Sequence, residues 1–160
     1  MVAGVAFAAL AASASMKTLV RIEPLTIPAG TTAKTIAVDV HATRAKILSA
    51  AKSRQHDVTL ELDVEAERSP EVFYEVWLGA PQGKRYNVGN VALYGAGIRS
   101  EARGEFHPAH VRLFVSDALA LALRHASTKT LNVTFVASGK STAALTIRKM
   151  ELVAGPRQRE

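Results

Sequence analysis

The chain contains no cysteine. Disulfides, thiolate metal sites and cysteine nucleophiles are thereby excluded. Aromatic residues make up only 6% of its 160 residues, including a single Trp and three Tyr, so stacking platforms for sugars are in short supply. Phosphate loops are missing too. Gly95-Ala96-Gly97 is too short for one, and Ser138-Gly139-Lys140-Ser141 lacks the earlier glycine at the needed spacing. Paired histidines at helical spacing are absent among the five that lie between Val40 and Ser127. The longest apolar run, Met1 to Ser15, is uncharged and too short to span a bilayer as a helix.

That opening segment lacks the Lys or Arg that precedes the apolar core of an export signal, although Ala12-Ser13-Ala14 offers a small-residue cleavage site. Three readings stand. It is an atypical signal, which would make the protein exported or periplasmic. It is the remnant of a longer product cut upstream. Or the true start is Met16-Lys17, and the chain is then cytoplasmic.

A length of 160 residues fits one domain and allows burial of about 70% of the unfolded surface, so no covalent staple is required. The net charge of +6 and pI of about 9.9 favour anionic partners. The basic residues are scattered, however, from Arg21 to Lys149. With neither a clustered basic stripe nor a recognised module, nucleic-acid binding is not expected.

What is present is a series of alternating apolar and polar segments, the mark of half-buried strands. Val58 to Glu65 sets Val58, Leu60, Leu62 and Val64 against Thr59, Glu61, Asp63 and Glu65, which predicts a strand with one wet face. Similar segments run over Thr35–Val40, Val72–Leu78, Tyr86–Tyr94, Val111–Val115, Leu131–Ala137 and Leu145–Val153, with a weaker one from Lys17 to Ile27 that Pro24 interrupts. Gly89 marks a bulge. His41 to Arg54 breaks the alternation and favours a helix that Thr43 would cap. A second short helix, Ala118 to His125, follows Ser116 or Asp117 as its cap. Gly95 to Pro108 reads as a long polar loop. The fold class is therefore all-β: an antiparallel β-sandwich of about seven or eight strands with one or two short helices. The expected organisation is an apolar segment over 1–15, one sandwich domain over 17–153, and a frayed tail over 154–160. Trp77 is expected in the core.

The wording Tyr74-Glu75-Val76-Trp77-Leu78-Gly79-Ala80-Pro81, then Gly89-Asn90-Val91-Ala92-Leu93-Tyr94-Gly95, resembles the C-terminal β-sandwich domain of bacterial tyrosinases and polyphenol oxidases, which are type 3 copper proteins. Asp117-Ala118-Leu119-Ala120-Leu121-Ala122-Leu123, Val133-Thr134-Phe135-Val136 and Thr146-Ile147-Arg148-Lys149-Met150-Glu151-Leu152 extend the likeness over about Val58 to Val153. The resemblance implies a lid: a sandwich that packs on a helical dicopper oxidase domain and shields its mouth. It also implies that Tyr94 and the following loop, with Glu105 and Phe106, contact that partner. The dicopper site of the family needs six His on four helices, and this chain has five His in all. Oxidase activity is therefore not carried over, no cofactor is expected in this chain, and copper belongs to the partner, fused upstream or separate.

His107-Pro108-Ala109-His110 is the one closely spaced His pair. A metal there would need converging neutral imidazoles and a third ligand, for which Glu101 or Glu105 stands nearby in sequence. Pro108 opposes helical presentation of both rings, and a plain polar loop is the simpler reading. His41, His56 and His125 are expected at the surface or at element ends. Two other functions remain beside the lid: an exported sandwich that binds a carbohydrate or surface polymer, and a small metal protein built on His107 and His110.

Overall fold

The computed structural model describes residues 15–157. The expectation for the segment 1–15 therefore lies, but for its last residue, outside the described residues.

Among the described residues, nine strands make two packed antiparallel sheets, accompanied by two α-helices. The strands are β1 (Lys17–Ile22), β2 (Leu25–Ile27), β3 (Ala33–Asp39), β4 (His56–Glu65), β5 (Tyr74–Gly79), β6 (Arg85–Val91), β7 (Ala109–Phe114), β8 (Thr130–Ala137) and β9 (Leu145–Pro156). One sheet has the order β1-β9-β4-β7, with β2 also on β9; the other has the order β3-β8-β5-β6. This is the sandwich that the alternation predicts. Its core is the two inner faces: Val58, Leu60, Leu62 and Val64 of β4 meet Tyr74, Val76 and Leu78 of β5 and Leu131, Val133 and Phe135 of β8.

The helices α1 (Arg44–Ala51) and α2 (Ser116–Ala122) close one end of the sandwich against each other. Both are shorter than the sequence predicts. Neither expected cap makes a capping bond. Ser116 instead accepts a hydrogen bond from the Val58 amide at 2.8 Å. At the C-terminal end of α2, Arg44 Nη2 donates to the carbonyls of Leu123 and His125 at 2.6 and 3.0 Å. A guanidinium at a helix C-terminus also opposes the negative end of the helix dipole.

Four expectations need correction. The wet face of β4 is largely covered: Thr59, Glu61 and Glu65 are buried, because β4 is a central strand and arginines from its neighbours fold over it. Trp77 is half-buried on the outer face of the four-stranded sheet, where its Nε1 donates to Glu75 at 3.1 Å and Arg85 stacks on its ring at 5.3 Å. Tyr74 takes the core position instead. The tail is paired as far as Pro156, since β9 continues beside β1 and β4 through Ala154, Gly155 and Pro156. Finally, the segment from Val72 becomes a strand only at Tyr74. The Gly89 bulge is present, as a register shift between Val76 and Trp77.

Candidate interaction site at the loop end

The end of the sandwich opposite the helices is built from loops. They follow β4 (66–73), β6 (92–108) and β8 (138–144). The longest is braced rather than loose. Ala66 donates its amide to the Gly97 carbonyl at 2.8 Å, and the amides of Arg99 and Ser100 donate to Ala66 and Glu67, each at 2.8 Å. Ile98 is buried beneath, and a single turn of 3₁₀ helix, Arg99–Glu101, follows.

Tyr94 stands on this braced loop and is 90% exposed. Solvation of the phenol tip is ordinary; here the whole aromatic ring is exposed. Beside it Phe73 is 40% exposed. Its amide donates to the Ser138 hydroxyl at 3.2 Å and its carbonyl accepts from the Ser138 amide at 2.9 Å, which ties the loops after β4 and β8 together. Tyr94, Phe73, Val72, Leu93 and Glu71 line one groove of about 450 Å³. Glu71 has φ of +61°, a left-handed conformation that a non-glycine residue holds only under constraint.

Arg99 organises the rest. It stacks on the Phe106 ring at 4.1 Å and reaches Glu65 at 3.4 Å and Glu67 at 3.6 Å. Phe106 is half-buried in that stack, and Glu105 is exposed next to it. The residues named from the sequence, Tyr94, Glu105 and Phe106, thus share the loop that follows β6. Phe73 and Arg99 were not expected in the site. The only trace of Phe73 in the sequence is an apolar residue just outside the true start of a strand.

The histidines do not converge. His107 is exposed in the loop. His110 lies on β7, paired in register with Asp63; its Nδ1 is 2.8 Å from the Asp63 carboxylate and its Nε2 is 3.9 Å from Glu61. Among the described residues no three of His, Asp and Glu come together as a metal-holding group. His41, His56 and His125 are exposed.

The outer face of the five-stranded sheet carries a second polar cluster. Glu61 and Glu151 face each other across β4 and β9. Arg112 lies 2.9 Å from Glu61, off the line of a hydrogen bond, so the contact is Coulombic. Arg21 and Lys149 hold Glu151 at 3.2 and 3.3 Å. A register shift in β9 at Arg148 aims its guanidinium at Glu65, 2.8 Å away. Asp57 takes Arg157 at 3.0 Å. Asp57, Glu61, Glu65 and Glu151 of this face are thus each paired with an arginine or lysine.

No helix of the described residues is long and apolar enough to cross a membrane.

No family model matches the chain, and no curated protein matches it. Among solved structures, the fold is similar to part of a recombinantly expressed latent aurone synthase, a polyphenol oxidase: TM-score 0.50, 10% identity, 85% of this chain and 26% of that one. A latent apple tyrosinase aligns with TM-score 0.44 and 12% identity over 82% of this chain and 27% of its own. The chain spans about a quarter of the length of these oxidases, and at 10% identity its likeness to the aurone synthase is one of fold.

Proposed function

We propose that this chain is a non-catalytic accessory domain that packs on a dicopper phenol oxidase domain or subunit and shields its mouth. The carrying observation is the fold shared, over most of this chain, with a part of a latent polyphenol oxidase about a quarter of its length. The loop end supplies the contact surface. Tyr94 is the most exposed large hydrophobic side chain among the described residues, and Phe73 and Leu93 line the groove beside it. Phe106, stiffened by Arg99, and Glu105 extend the surface along the same loop. In this reading the copper and the oxidation chemistry belong to the partner; this chain binds, excludes water and blocks access.

The test begins with the DNA around the coding frame. A dicopper domain encoded there, fused or adjacent, is produced without this chain and its oxidation of a diphenol is measured. Adding the purified chain slows the reaction, and Tyr94→Ala weakens that inhibition by at least about tenfold, as loss of an aromatic anchor does. A neighbourhood with no dicopper domain, or a chain that leaves the oxidase unaffected, refutes the reading.

A further inference from the structure

A two-layer sandwich has four sheet edges, and each presents unpaired backbone N–H and C=O groups that invite a further strand. Three of the four edges here carry a device that blunts this. β1 has a register shift between Thr18 and Val20 and the cations Lys17 and Arg21, and it gives way after Pro24 to β2, only three residues long. β6 is bulged at Gly89 and begins at Arg85. β7 places His110 and Arg112 along its length.

The fourth edge has no register shift and no proline, and its two charges, Lys34 and Asp39, lie near its ends. β3 pairs with β8 over seven consecutive residues, Ala33 to Asp39, with no register shift. It holds no Pro or Gly, and Thr35, Ile36, Ala37 and Val38 put no charge between Lys34 and Asp39. Among the described residues no other strand pairs with it. Its middle residues Thr35 and Ala37 are exposed on the outer face, and Ile36 on the inner face is only partly covered.

The sequence of β3 is also self-complementary. Opposed residues in an antiparallel ladder share a face, so a two-fold axis at Ala37 sets residues whose numbers sum to 74 against each other. Ala37 then meets Ala37 of the second copy, the smallest side chain of the run at the axis. Thr35 meets Asp39, a hydroxyl beside a carboxylate, twice. Ile36 meets Val38 on the inner face, so the apolar row continues across the seam. The antiparallel sense also brings the Lys34 end of one copy to the Asp39 end of the other, so the end charges attract.

We propose that β3 is a self-complementary docking edge, by which two copies of this chain join β3 to β3, antiparallel, into one continuous sheet built from two four-stranded ones. The seam lies on the sheet that does not carry β7 or β9, and the proposal does not depend on the oxidase reading.

Sedimentation equilibrium over about 1 to about 100 μM tests it, the range in which a modest interface becomes populated. The mass rises from 17.1 kDa towards twice that value. Ala37→Lys places two like charges face to face at the axis and weakens the dimer by at least about tenfold. Because Ala37 is exposed, the variant keeps its far-UV circular dichroism; Thr35→Lys, also exposed, carries the test if it does not. Asn90→Lys, an exposed position on the β6 edge, leaves the dimer within about twofold of the parent. A chain that stays monomeric throughout overturns the proposal. So does a dimer that survives both β3 variants, because its seam then lies elsewhere.

Discussion

Gly97 and Gly30 form a matched pair for testing how the Tyr94 loop is held. Both sit in the left-handed region at nearly the same φ, +77° and +78°. A Cβ added at Gly30 meets nothing within 4 Å. The same atom at Gly97 meets the Val64 carbonyl oxygen at 2.7 Å and the Ala109 Cβ and amide nitrogen at 3.0 Å. Two of those three atoms are backbone of β4 and β7, which the sheet holds in place. Placing Ala at a left-handed φ costs about 1 kcal/mol at either site. At Gly97 the overpacking adds about 2 kcal/mol, the middle of the range for forcing extra volume into a packed region. Gly30→Ala is then expected to lose about 1 kcal/mol and Gly97→Ala about 3 kcal/mol. For a domain of this size these correspond to about 3 °C and about 9 °C in the melting midpoint. Urea titration followed by tryptophan fluorescence and circular dichroism measures both. Equal losses in the two variants would refute the argument, since the backbone conformation would then account for everything and the loop would not be wedged against β4 and β7. In a partner assay Gly97→Ala also weakens binding without touching Tyr94, because it shifts the support on which that ring stands.

Glu65→Ala strips Arg148 and Arg99 of their shared carboxylate, and a loss of about 1–2 kcal/mol is expected, smaller at high salt because both guanidinium groups are partly solvated. Chemical denaturation at two ionic strengths checks it. Arg44→Met keeps the aliphatic stem but frees the carbonyls of Leu123 and His125, for an expected loss of about 1–2 kcal/mol in the same measurement. Tyr74→Phe removes a buried hydroxyl that has no partner among the described residues, so stability stays level or rises by up to about 1 kcal/mol. A loss beyond that would show that the hydroxyl has a hydrogen-bond partner after all.

The sandwich was legible because its signal is local. Alternation along β4, β8 and β9 reports which side chains point inward, and the Gly89 bulge announces itself as a glycine inside a strand. Misreadings arose where a residue's fate depends on its neighbours in space. Glu61 looks like a solvated residue in sequence; it is buried because β7 brings Arg112 and β9 brings Glu151 to either side of it. Trp77 looks like core by size alone, yet parity on β5 gives the inner face to Tyr74, Val76 and Leu78 and turns Trp77 outward. The continuation of β9 past Val153 was invisible for a similar reason, since Gly155 and Pro156 read as chain-terminating residues until β4 is placed beside them. In the site, Tyr94, Glu105 and Phe106, named from the resemblance, all lie on the loop after β6. Phe73 was not expected there, because its exposure follows from β5 beginning at Tyr74, two residues after the expected start at Val72.

The two polar regions of the surface differ in a way that bears on where a protein partner can sit. On the outer face of the five-stranded sheet, Asp57, Glu61, Asp63, Glu65 and Glu151 are each engaged by an arginine, lysine or histidine. A partner covering that face would have to desolvate the whole set, and ion pairs removed from water return little or nothing of that cost. Among the described residues, the ion pairs of the loop end are the two that Arg99 makes with Glu65 and Glu67. Tyr94 and Phe73 already expose apolar surface, their backbones are pinned by Ser138 and by the Ala66–Gly97 bridge, and little ordering remains to be done on contact. Arg99 is engaged by Phe106, Glu65 and Glu67, while Arg68, Glu71, Glu101, Arg103, Glu105 and Lys140 of these loops are exposed. Affinity for a partner should accordingly respond strongly to Tyr94→Ala and Phe73→Ala and weakly to Arg21→Ala or Lys149→Ala. The reverse order, read from the same binding titration, would move the docking surface from the loops to the sheet face.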